Sequence, residues 1–97
     1  MRYAIELAPE AIQDLKRLKA DLRARVKDAM ETHLRHEPTK TSKSRIKRLR
    51  GVSKPQYRLR VDEVRVFYDV SKRNVEVLAI VMKADAHAWL AKVGEGR

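Results

Sequence analysis

Apolar residues in this chain alternate at first, then recur at helical spacing, then alternate again. Tyr3, Ile5 and Leu7 occupy every second position and predict a short strand with these three side chains on one side. Pro9 follows, at the first turn of a predicted helix, where its missing N–H does no harm. Ala11, Leu15, Leu18 and Leu22 continue at helical spacing with Ile12 alongside, and Val26, Met30 and Leu34 form a second stripe with Ala29 and His33. Asp21 is expected to cap the second helix, so the pair reads as a helical hairpin that ends before Pro38.

Residues 38–56 read as a loop, rich in Ser, Thr, Gly and Pro, with Ile46 and Leu49 pinning it to the core. Period two then returns in residues 57–61 and 64–70, joined by Asp62-Glu63, a gap that fits a two-residue hairpin. Residues 71–74 make the next turn. Residues 75–81 are more continuously apolar and predict an interior strand. A short helix over residues 84–92 closes the pattern. The expected fold is one α+β domain spanning residues 1–97: a strand, a helical hairpin, a three-stranded antiparallel meander and a short C-terminal helix. The helices are expected on one face of the sheet.

Charge changes this picture because it is unevenly placed. The net charge is +10. Residues 1–37 hold 8 basic and 7 acidic side chains, and residues 62–97 hold 6 of each. The other nine basic residues, Lys40, Lys43, Arg45, Lys47, Arg48, Arg50, Lys54, Arg58 and Arg60, lie between Pro38 and Val61 without one Asp or Glu. Such a block attracts polyanions by counterion release and long-range steering. The absence of cysteine excludes disulfides and thiolate metal sites. His33 and His36 have no zinc-binding context, and neither a metal nor a cofactor is expected. No apolar stretch approaches membrane-spanning length and no secretory pattern opens the chain, which predicts a cytoplasmic protein without membrane contact.

Strand alternation turns the basic block into geometry. If Tyr57, Leu59 and Val61, with Val64, Val66, Tyr68 and Val70, face the helices, then Arg58, Arg60 and Arg65 converge on the open face. Neighbouring guanidiniums repel, and a sheet that tolerates this is suited to hold phosphate. Pairing with Asp62, Asp69 or a helix carboxylate is the alternative.

The segments Leu49-Arg50-Gly51, Tyr57-Arg58-Leu59-Arg60-Val61, Arg65-Val66-Phe67-Tyr68 and Val77-Leu78-Ala79-Ile80 resemble the RelE/ParE superfamily of toxins from type II toxin–antitoxin modules, closer to the RelE-like branch. The resemblance covers the C-terminal half in motif and the N-terminal half in layout. It implies a metal-free endoribonuclease that cleaves mRNA codons in the ribosomal A site, with the RNA 2′-hydroxyl as nucleophile. It also implies a small antitoxin partner. By position, Arg58 and Arg60 match the basic residues beside the scissile phosphate, with Arg60 where the family places its general base. Arginine accepts protons poorly, so Arg60 is better suited to stabilise phosphorane charge.

Arg65 matches the transition-state arginine and Lys83 a further phosphate-binding residue. His87, whose ordinary pKa lies near neutrality, stands where an acid or base is needed, or is a surface histidine. Trp89 either stacks on a base or packs the last helix on the sheet. Lys43, Arg45, Lys47, Arg48, Arg50 and Lys54 complete the expected RNA-binding surface. Two alternatives remain open: a ParE-like inhibitor of DNA gyrase, and a non-catalytic nucleic-acid-binding or decayed toxin.

Overall fold

The strictly alternating segments form strands where their period places them. In the computed structural model, which describes residues 2–95, β3 (Tyr57–Val61) and β4 (Val64–Ser71) pair antiparallel with Val61 opposite Val64. Asp62 in the turn takes the left-handed backbone region at φ 52°, which aspartate tolerates because its short side chain can bond locally. β5 (Asn74–Met82) returns antiparallel to β4, and β1 (Ala4–Leu7) adds parallel to its other edge.

The meander is part of a larger sheet than the sequence predicts. Residues 46–48, expected in a loop, form β2 (Ile46–Arg48), antiparallel to β3 with Ile46 opposite Leu59. Burial of Ile46, 3% exposed, anchors this edge strand. The five strands run β1-β5-β4-β3-β2.

The helical hairpin forms as α1 (Pro9–Arg17) and α2 (Ala20–Ala29), which continues into a π-helical turn at Met30–Leu34. Asp21 does not cap α2. The helix begins at Ala20 behind an extended Lys19, so Asp21 lies within the first turn, 3.8 Å from Arg25. A carboxylate there still complements the helix dipole. Ala11, Leu15, Val26, Met30 and Leu34 pack on Leu59, Val61, Val64, Val66, Tyr68, Val75, Val77 and Ile80.

Arg23 Nε on α2 is buried without a hydrogen-bond partner, but two other polar groups on this side are satisfied. The Tyr68 hydroxyl donates to the Pro38 carbonyl at 2.6 Å, and burial pushes its pKa far up. Pairing of β1 with β5 stops at Val77, and beyond it the Ile80 N–H donates to the Asp14 carboxylate of α1 at 2.9 Å.

α3 (Lys83–Glu95) corrects the expectation that all helices share one face. Phe67 and Ala79 point away from the main core yet are fully buried, and the Trp89 ring of α3 stacks on Phe67 at 4.8 Å between centroids. An apolar patch on the second face requires cover, and Trp89 supplies it. Among the described residues, no helix is long and apolar enough to cross a membrane.

Candidate nucleic-acid interface

The two-residue β3–β4 turn fixes register, and register fixes which arginines meet. Arg60 stands directly opposite Arg65, and Arg58 opposite Phe67, all on the face away from α1 and α2. Among the described residues, none of the three arginines has a carboxylate within ion-pair distance. The nearby acids are engaged elsewhere: Asp62 accepts Arg25 at 2.5 Å, and Asp69 accepts the Gln56 N–H at 2.7 Å.

The three differ in exposure. Arg60 is exposed and Arg58 half-buried. Arg65 is only 6% exposed, which corrects its expected place on an open surface. Its guanidinium turns back to the carbonyls of Asp62 and Val64, at 2.9 and 3.1 Å. Burial, followed by the charges of Arg65 and Arg60, pulls the Arg58 pKa down from its ordinary value. Arg58 Nε is buried without a hydrogen-bond partner. Poorly solvated positive charge with an unused donor is prepared for an anion, since a buried unpaired polar group is otherwise unfavourable.

Two further residues of the basic block extend the cluster. Lys47 stands opposite Arg58 across β2, and the Arg45 carbonyl accepts the Arg60 N–H at 2.9 Å. Lys54 belongs to another environment. At the far end of the same face its ammonium lies 3.8 Å from Asp69 and 3.7 Å from Glu76, which stand opposite each other on β4 and β5.

The remaining sequence-derived candidates are not gathered into the arginine cluster. Arg48 projects to the opposite face, over the Tyr57 ring at 5.1 Å. Lys43 and Arg50 are exposed in the flanking loops. Lys83 opens α3, where its backbone N–H donates to the Glu63 carbonyl at 2.6 Å, and its side chain is exposed. His87 is exposed on α3. Among the described residues neither the Lys83 nor the His87 side chain has a hydrogen-bond or ion-pair partner. Trp89 is half-buried on Phe67, the packing arrangement of the two that its sequence position allowed. The cluster can therefore bind an anion and stabilise developing negative charge, while its own groups offer no ready proton acceptor.

One residue set was not anticipated. His33, considered in the sequence only as a core or metal-ligand candidate, lies beside Arg45 in a cavity of about 270 Å³ that Glu37, Lys40, Thr41 and Ser42 help to line. Burial, then the Arg45 charge, pulls the His33 pKa down. Arg45 also borders a second cavity of about 300 Å³, shared with Ser44, Arg60 and Asp62. The acid-free run from Pro38 was the available signal. Closure of the loop onto the end of α2 could not be read from it.

Residues 5–86 match the family described as ParE toxin of type II toxin-antitoxin system, parDE. No curated protein matches the sequence significantly. Among solved structures, the archaeal RelE–RelB complex from Pyrococcus horikoshii is similar over 86% of this chain and 97% of that chain, with 22% identity and a TM-score of 0.70. The toxin–antitoxin complex RelBE2 from Mycobacterium tuberculosis gives 21% identity, 84% and 99% coverage and a TM-score of 0.73. A mutant of the E. coli toxin RelE in the free state gives 20% identity, 92% coverage of both chains and a TM-score of 0.68. At such identities the likeness establishes a shared fold.

Proposed function

The chain belongs to the ParE toxin family of type II toxin–antitoxin systems, within the RelE/ParE superfamily, and from that membership we propose that it is a ribosome-dependent mRNA endonuclease. The observation that carries this reading is the unneutralised trio Arg58, Arg60 and Arg65 on one sheet face, with Arg58 Nε unsatisfied. In the proposed reaction the RNA 2′-oxygen bonds to the adjacent phosphorus and the P–O5′ bond breaks. This leaves a 2′,3′-cyclic phosphate and a 5′-hydroxyl that has taken up a proton. Arg58 and Arg60 hold the phosphate and stabilise the phosphorane, the role open to fixed cations. Arg65, held by two carbonyls, adds a fixed positive charge beside them. Proton transfer falls to a group outside the trio, with Lys83 and His87 of α3 as this chain's candidates.

An antitoxin is the expected partner, as in the complexes from P. horikoshii and M. tuberculosis. With a net charge of +10, this toxin calls for an acidic one. The cytoplasm, which holds ribosomes and mRNA, is the proposed site of action.

Two observations favour a second reading. The matching family model is that of ParE, and the cluster lacks a proton acceptor of its own, as suits inhibition of DNA gyrase by binding alone. Primer extension on mRNA from cells expressing the chain separates the two. Codon-phased cuts that disappear in Arg60→Ala support the endonuclease. Intact transcripts with arrested replication support gyrase inhibition.

A further inference from the structure

We propose that the cavity formed by His33, Lys40, Thr41, Ser42 and Arg45 is a second phosphate subsite, which takes the backbone of single-stranded RNA one or more nucleotides away from the Arg58–Arg60 site. The proposal rests on the nucleic-acid reading above and extends it to residues outside the sheet.

Its geometry comes from a shared wall. Arg45 borders both this cavity and the one containing Arg60, so a polyanion leaving Arg60 meets Arg45 next and the His33 cavity after it. The loop is built to hold this shape. Ser42 Oγ accepts the Arg45 N–H at 3.0 Å, and the Ser42 N–H donates to the Ile46 carbonyl at 2.9 Å, which ties the loop to buried Ile46. Among the described residues the Arg45 guanidinium has no carboxylate partner. Among the described residues Lys40 meets only Glu37, at 3.7 Å between two well-exposed side chains, a pair that water screens and a phosphate can replace.

The lining chemistry fits RNA. Lys40 and Arg45 supply charge, Thr41 and Ser42 supply hydroxyls, and Glu37 supplies an acceptor for a ribose 2′-hydroxyl, the group that distinguishes RNA from DNA. Burial, then the Arg45 charge, pulls the His33 pKa down, and a bound anion would offset the second of these.

The test compares RNA dinucleotides and tetranucleotides binding to the full chain by fluorescence anisotropy. The tetranucleotide is expected to bind about tenfold more tightly, with most of that gain lost in Lys40→Ala and in Arg45→Ala and dinucleotide binding unchanged in Lys40→Ala. The salt slope of tetranucleotide binding should fall by about 0.7 in Lys40→Ala, the value for one single-strand phosphate contact. The His33 imidazole pKa, followed by NMR, should rise when the tetranucleotide is added. A tetranucleotide of DNA should bind more weakly than RNA. Equal affinity for both lengths, or a length gain that survives Lys40→Ala, overturns the subsite while Arg60-dependent dinucleotide binding leaves the arginine site standing. Lys40-dependent capture of an acidic peptide with no effect of RNA length also overturns it, in favour of a protein ligand. If neither oligonucleotide binds, the underlying nucleic-acid reading fails, and the subsite with it.

Discussion

At one end of the second sheet face, Lys54 sits between Asp69 and Glu76; at the other, Arg60 faces Arg65 with no carboxylate in range. The two ends lie about four strand residues apart, roughly 13 Å at the usual rise. They share strands and solvent. This fold therefore does bring acids to a cation on this face, and the bare charge of the arginine end is a local property, not a general feature of a basic protein. The Lys54 end is finished within the chain. The arginine end has no counter-charge among the described residues.

Breaking the arginine end gives the largest expected effect. Arg58→Ala should slow codon-phased cleavage about 100-fold or more, the usual loss when one charge-stabilising donor is removed. Lys54→Ala should leave the rate within about threefold, and primer-extension time courses compare the two directly. Comparable losses in both variants would erase the distinction between the ends.

Stability should respond in the opposite sense. Asp69→Ala removes the acceptor of the Gln56 N–H and one partner of Lys54, and is expected to destabilise by about 1–3 kcal/mol in urea unfolding. Arg58→Met removes a desolvated, repelled charge and keeps the aliphatic stem, so it should stabilise by about 1 kcal/mol while activity is lost. A destabilised Arg58→Met would mean that this guanidinium is satisfied in the free protein.

The smallest effect is the pH dependence of the neighbouring loop. The folded-state pKa of His33 lies below its unfolded value, so the unfolded chain binds the extra proton more readily. Stability is then unaffected by His33 well above pH ~6.5 and falls as the pH drops through that unfolded value toward the folded one. His33→Gln should remove a fraction of a kcal/mol from the difference between the unfolding free energies measured in urea at pH 7 and pH 5. An unchanged difference would mean that neither burial nor Arg45 acts on the imidazole.

The arginine face was legible in the sequence because strict alternation on both sides of a two-residue turn leaves one register, and register alone places Arg58, Arg60 and Arg65 together. β2 was not legible, since three residues with a single apolar member among basic neighbours show no period. The position of α3 was hidden for a different reason. The face to which α3 docks depends on Trp89 meeting Phe67, a contact 22 positions apart in the chain that local pattern does not encode. His33 was missed likewise, because its cavity exists only once residues 38–46 fold back on the end of α2. Period reads elements and strand faces. Contacts between distant elements lie outside it.

Asp14 has a role unrelated to any ligand. β1 is too short to shield the whole of β5, and the stretch beyond Val77 would present free amides to any passing strand, including one from a second copy of the chain. By occupying the Ile80 amide, the α1 carboxylate withdraws one rung from that ladder and sets a charge where an incoming backbone would have to lie. One helical side chain thus covers an edge amide that a longer first strand would otherwise pair.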